Sequence, residues 1–124
     1  MNPKGRHITL DYTGFTGDGE WMLNVLRAAV SRSNAREVHA HVAEFDGIES
    51  PLGFAAVVLI DESHVSAHCY ADEGILAVDC FTCGGIDPTG IVDDIHEQLS
   101  EAIPSIELIQ RTELDRFVRR RNDA

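Results

Sequence analysis

The sequence predicts an α+β fold, a two-layer sandwich in which one largely antiparallel sheet carries two helices on one face. Three observations point to it. The elements fall in the order β-α-β-β-β-β-α-β. Each helix has a single apolar stripe, so each has one side to bury. The segments 63–70 and 75–82 read as a hairpin, with turn residues Ala71, Asp72, Glu73 and Gly74 between them. With both helices on one side, the other face of the sheet is left open.

The elements follow in order. Residues 6–12 alternate, with Ile8, Leu10 and Tyr12 on one face and His7, Thr9 and Asp11 on the other, as in a half-buried strand. Residues 13–17 form a turn containing Gly14 and Gly17, and Asp18 caps a helix. The helical stripe is Trp21, Met22, Val25, Leu26, Ala29 and Val30, and residues 31–34 end it. Residues 36–45 alternate again, with Val38, Ala40 and Val42 opposite His39, His41 and Ala43. His39 and His41 share a face, but no third ligand has suitable spacing, so no metal is expected. Residues 46–53 are a loop with Gly47, Pro51 and Gly53. Residues 54–60 are a continuous apolar strand, and in 75–82 the side chains of Leu76, Val78 and Cys80 share a face. Asp87 followed by Pro88 starts the second helix, whose stripe is Ile91, Val92, Ile95, Leu99, Ala102 and Ile103 and which Pro104 stops. A last strand, 105–111, turns Ile106 and Leu108 inward. Arg116, Arg119, Arg120 and Arg121 close the chain as a solvated or subunit-contacting tail.

Length and composition favour one soluble domain spanning 1–124, at 44% apolar and 25% charged residues. A formal net charge of -11 repels nucleic-acid phosphates and anionic membranes and favours cations such as polyamines or basic amino acids. The stretch Met1-Asn2-Pro3-Lys4 does not start a signal peptide, and no apolar run approaches a membrane span. The odd count of three cysteines, Cys69, Cys80 and Cys83, argues against a disulfide framework and fits a reducing cytoplasm. Cys80 and Cys83 form a Cys-x-x-Cys at a strand end, without the second pair a zinc site needs or the helix a redox motif opens.

The chemistry is concentrated in residues 61–68. Ser63 follows Glu62 where a buried strand ends, with His64, His68 and Cys83 nearby in sequence. No Gly-x-Ser-x-Gly surrounds it, which leaves a serine that attacks its own backbone. The Ser63 hydroxyl adds to the Glu62 carbonyl, given a base and a stabilised oxyanion. Elimination then cuts the chain and converts Ser63 to a pyruvoyl group, which forms a Schiff base with an amine and acts as an electron sink. In a regular strand Ser63 and His68 point to opposite faces, so direct contact between them requires a bulge or turn.

Glu62-Ser63-His64, His68, Ala77-Val78-Asp79, Phe81-Thr82-Cys83-Gly84 and the early Gly5-Arg6-His7 resemble the prokaryotic S-adenosylmethionine decarboxylase proenzymes, over about residues 5–110. The resemblance implies an S-adenosylmethionine decarboxylase-like sandwich that cleaves itself between Glu62 and Ser63 into 1–62 and 63–124 chains. It implies a pyruvoyl group from Ser63, a processing role for His68 and proton donation by Cys83. It places the 46–53 loop at the substrate pocket, and Glu49, Tyr70 and Asp72 at the positions of substrate-binding residues. Glu49 replaces an aromatic residue, Tyr70-Ala71-Asp72 replaces Trp-Pro-Glu, and Ala55 replaces a serine that helps processing. It further implies homodimers, or higher homo-oligomers, that cover the open sheet face and build the active sites. The expected reaction is decarboxylation of S-adenosylmethionine to the aminopropyl donor of spermidine and polyamine synthesis. The alternatives are a pyruvoyl-dependent arginine or ornithine decarboxylase, with Glu49 and Asp72 meeting a cationic side chain, and a processing-dead regulatory homologue, prompted by Ala55.

Overall fold

The structure, a computed structural model, describes residues 5–120; Met1 to Lys4 and Arg121 lie outside the described residues. In chain order the elements are β1 Gly5–Thr13, α1 Gly19–Ser31, β2 Glu37–Phe45, β3 Gly53–Ile60, β4 Ser63–Tyr70, β5 Ile75–Cys83, α2 Pro88–Ala102 and β6 Glu107–Arg116. The strands form one sheet in the order β2-β3-β4-β5-β1-β6, with every neighbouring pair antiparallel. Both helices lie on one face, α1 against β2, β3 and β4, and α2 against β1 and β5. The α+β two-layer sandwich expected from the sequence is the observed one.

Alternation builds the core. Ile8, Leu10 and Tyr12 of β1, Val65 and Ala67 of β4, and Leu76, Val78 and Cys80 of β5 are all buried beneath the helices. They meet Met22, Leu26 and Val30 of α1 and Ile91, Ile95 and Leu99 of α2, which also carry almost no exposed surface. Each helix begins as its aspartate dictates: Asp18 Oδ1 accepts the Trp21 N–H at 2.8 Å, and Asp87 Oδ1 accepts the Thr89 N–H at 2.9 Å.

Two details depart from simple alternation. The β2–β3 register shifts between Glu37 and His39, so Val38 is left unpaired and 56% exposed instead of facing inward. A bulge on an edge strand accounts for it. At the other edge, β6 continues to Arg116, five residues beyond 111, because β1 offers a pairing partner along its whole length. Arg116 thus belongs to the sheet, while Arg119 and Arg120 follow it.

The open face is an ordered array, because residues paired across strands share a side. One row runs Leu59, His64, Phe81, His7, Leu114. The next runs Val57, Ser66, Asp79, Thr9, Thr112, and a third runs Ala55, His68, Ala77, Asp11, Gln110. The exposed apolar residues Leu59, Tyr70, Ile109 and Leu114 belong to this face and its margins.

Candidate active site

Ile60 pairs with Ser63, so β3 and β4 are joined by a hairpin of only two residues, Asp61 and Glu62. Ser63 is the first residue of β4 and is 4% exposed, turned toward the helix layer. The hairpin β4–β5 brings Cys83 to the same end of the sheet. The Cys83 backbone N–H donates to Ser63 Oγ at 2.9 Å, and its Sγ lies 3.8 Å from the Glu62 carbonyl oxygen. Ser63 hydroxyl, Glu62 carbonyl and Cys83 therefore form one cluster, as the hairpin reading expected. Gly84, at φ 65, follows Cys83 and turns the chain off the strand, a backbone state glycine adopts without strain.

The neighbouring side chains of the open face form a connected set. Arg116 donates to His7 Nδ1 at 3.2 Å, so His7 holds its proton on Nε2 and donates it to Asp79 Oδ1 at 3.1 Å. Phe81 sits between them, 6.0 Å from the His7 ring and 5.7 Å from that of His64, under the Arg116 guanidinium at 5.5 Å. Burial lowers the His64 pKa below its usual value, with nearby His7 acting in the same direction and Asp79 opposing them. His64 thus favours its neutral, proton-accepting form.

His68 lies elsewhere. It is on the open face, exposed, with Ala55 as its register partner. β4 is regular from Ser63 to Tyr70, without the bulge that contact with Ser63 would require. Five residues of strand separate the two by about 16 Å. Glu49, Tyr70 and Asp72 lie at the far end of the sheet, where the Ala71 N–H donates to the Leu52 carbonyl at 2.9 Å and ties the 46–52 loop to the β4–β5 turn. All three are exposed. Within one chain they do not meet Ser63 or Cys83. Of the three, Tyr70 borders a hollow of about 290 Å³, lined also by Asp11, His68, Ala77 and Ile109 among others, on the open face.

Cys80 and Cys83 do not act as a pair: Cys80 is in the core and Cys83 on the opposite side of β5. Burial, with Asp79 and Asp87 adding to it, pushes the Cys80 thiol up to about 12. Among the described residues no group of three His, Cys, Asp or Glu side chains is placed to hold a metal, and no helix is long and apolar enough to cross a membrane. Sequence reasoning gave no role to Asp11, to the His7–Asp79 pair or to Arg116. The signal for the first three was their place on the polar side of alternating strands; for Arg116 there was none, since it looked like tail.

Residues 6–112 match the family model described as S-adenosylmethionine decarboxylase. The chain is 31% identical over 112 residues to an S-adenosylmethionine decarboxylase proenzyme of Symbiobacterium thermophilum, covering 86% of this chain and 82% of that one. It is 34% identical over 105 residues to the proenzyme of Anoxybacillus flavithermus, covering 80% of each. Its structure aligns with the crystal structure of the adenosylmethionine decarboxylase from Aquifex aeolicus at a TM-score of 0.76 and 26% identity, covering 98% of this chain and 97% of that one. With the match extending over nearly all the described residues, the chain belongs to the S-adenosylmethionine decarboxylase family.

Proposed function

We propose that this chain is a self-processing proenzyme that cuts itself between Glu62 and Ser63 and then decarboxylates S-adenosylmethionine, supplying the aminopropyl donor for spermidine synthesis. The observation that carries the reading is the cluster at the two-residue turn: Ser63 Oγ held by the Cys83 N–H, and the Cys83 thiol beside the Glu62 carbonyl.

The residues fit a serine-derived pyruvoyl group. Ser63 Oγ adds to the Glu62 carbonyl carbon, and the Cys83 thiol at 3.8 Å is the donor placed to support the oxygen as it gains charge. The Glu62–Ser63 C–N bond breaks, the amide nitrogen takes a proton, and an ester links Glu62 to the Ser63 oxygen. Loss of the Ser63 Cα proton then expels Glu62 as a carboxylate. The dehydroalanine left behind tautomerises to an imine, and water hydrolyses it to the ketone with release of ammonia. The products are chains 1–62 and 63–124. The pyruvoyl group then supplies an electron sink for an amine substrate. Cys83 holds the proton that the substrate carbon takes after carbon dioxide leaves.

His68 and the substrate-binding set lie too far from Ser63 to serve it in the same chain. A second copy packed on the open face supplies them: in a twofold pair each chain brings the end bearing His68, Glu49, Tyr70 and Asp72 to the open side of the other's cleavage site, where the Cys83 thiol meets the Glu62 carbonyl. The exposed apolar residues of that face, Leu59, Tyr70 and Leu114, give such an interface its driving force. The second substrate reading, arginine or ornithine, rests on two exposed carboxylates, Glu49 and Asp72, carried on the tied loops.

Denaturing mass spectrometry tests the central claim. The purified chain should yield a fragment ending at Glu62 and one beginning with a borohydride-reducible ketone, while Ser63→Ala stays whole. A wild-type chain that remains intact and ketone-free overturns the reading.

A further inference from the structure

The turn that presents the scissile bond is held in an unusual state. Asp61 has φ 50, in the left-handed region, although it is not glycine. Two-residue hairpin turns require such a backbone at their first loop position, where type II′ places glycine and type I′ takes asparagine, aspartate or glycine. Aspartate tolerates that φ better than most side chains but less freely than glycine, and a residue so placed beside a reacting bond is a reason to ask what it does. The Asp61 carboxylate is not idle: Arg36, just before β2, donates to its Oδ1 from Nε at 3.1 Å and from a terminal nitrogen at 2.6 Å. On its other side, the turn is held by the contacts of Cys83 with Ser63 Oγ and the Glu62 carbonyl.

We propose that Asp61, held by Arg36, is a positioning residue for self-cleavage: together they keep the turn closed in a strained conformation that cutting after Glu62 releases. The inference rests on the self-processing reading above. Cleavage frees residues 61 and 62 from the closed turn, so strain stored there is relieved as the peptide bond breaks. The clamp also keeps the Glu62 carbonyl from swinging away from the hydroxyl that attacks it. Arg36 is 79% exposed at its side chain and Asp61 33%, so this ion pair adds little to global stability and its effect is local.

The test follows cleavage of freshly folded chains by intact mass, with Tm measured alongside. Asp61→Gly adopts the left-handed backbone freely and so should keep or raise Tm, yet cut more slowly, by up to about thirtyfold, the most that one left-handed side chain is worth. Arg36→Ala should also slow cleavage with little change in Tm, and Arg36→Lys should restore part of the rate. Hydroxylamine, which captures the ester, should not rescue the slow variants, because the affected step precedes the ester. Wild-type rates in Asp61→Gly or Arg36→Ala overturn the proposal, and so does a rate loss that tracks a fall in Tm. A wild-type chain that never cuts overturns the self-processing reading itself, and this inference with it.

Discussion

Ser63 and His68 share strand β4 but face opposite sides of the sheet: Ser63 is buried under the helix layer and His68 is exposed on the open face. An odd offset in a regular strand requires this, and about 16 Å of strand keeps them apart within one chain. If His68 assists processing, it does so on another chain, from the open side where the Cys83 thiol meets the Glu62 carbonyl.

That arrangement predicts complementation. Ser63→Ala and His68→Ala chains should each stay whole alone. Co-refolded, they form mixed pairs in which the cleavage site of one chain meets the His68 of the other. Mass spectrometry should then show cut fragments from the His68→Ala chain only. Cutting of His68→Ala by itself removes His68 from processing, and an inert mixture removes the shared site.

The Cys83 thiol lies beside the Glu62 carbonyl and is the proposed proton donor, so its loss should be felt twice. Processing of Cys83→Ala should slow, since the thiol beside the Glu62 carbonyl is gone while the backbone N–H to Ser63 Oγ remains. The fraction that does process should bind substrate but turn over about a hundredfold or more slowly, as expected for a missing general acid. Cys80→Ala, altered in the core away from this cluster, should process and turn over normally. A Cys83→Ala enzyme with normal turnover would remove the thiol from the mechanism.

Much of this molecule was legible because its strands alternate strictly where helices cover them. Ile8, Leu10 and Tyr12, or Leu76, Val78 and Cys80, can be assigned to a face from spacing alone, and the caps Asp18 and Asp87 sit where a helix start needs them. Legibility failed at the sheet edges. Val38 obeys the alternation on paper, but a bulge exposes it, and residues 112–116 lack a buried face because an edge strand is only partly covered. The site was legible as a list but not as a geometry. The local hairpin joining Ser63 to Cys83 could be read from the chain, whereas the Arg36–Asp61 clamp depends on a turn angle and a cross-strand contact that no motif encodes.

Two groups raised by burial lead to a prediction for alkaline pH. Burial raises the Tyr12 pKa from 10.0 to about 12, against a smaller opposing effect of Arg111, and the Tyr12 hydroxyl bonds His96 Nδ1 at 2.9 Å. Cys80 rises from 9.0 to about 12 for the reasons given above. Both folded values lie above the unfolded ones, so the fold favours the protonated forms. Their contribution is complete below pH 9 for Cys80 and below pH 10 for Tyr12, and it is lost as pH climbs toward 12. Tm should therefore fall between pH 9 and 12, and the fall should be shallower in Tyr12→Phe and Cys80→Ala. Equal slopes in wild type and both variants would show that other groups control it.

In the proposed site, substrate choice rests on the end of the sheet remote from Ser63. Either candidate would offer the same α-amino acid to the proposed pyruvoyl group, which leaves discrimination to the proposed contacts of Glu49, Tyr70 and Asp72. Adenine favours an aromatic face and edge hydrogen bonds, and Tyr70, 52% exposed on the open side, provides a face. A guanidinium or ammonium favours carboxylates, which Glu49 and Asp72 provide. The net charge of -11 does not separate the candidates, since the sulfonium of S-adenosylmethionine is a cation too. The ring is the more selective feature, because a carboxylate at Asp72 also serves a ribose hydroxyl, whereas an aliphatic cation gains less from Tyr70 than a base stacked on it. Processed enzyme should therefore release labelled carbon dioxide from S-adenosylmethionine with a higher kcat/KM than from arginine or ornithine, and Tyr70→Ala should raise KM for it. If a basic amino acid wins the competition, the carboxylates define the pocket. Glu49→Gln should then lower that activity by about ten- to a hundredfold, the worth of a hydrogen bond to a charged group, and leave the rate of self-cleavage unchanged.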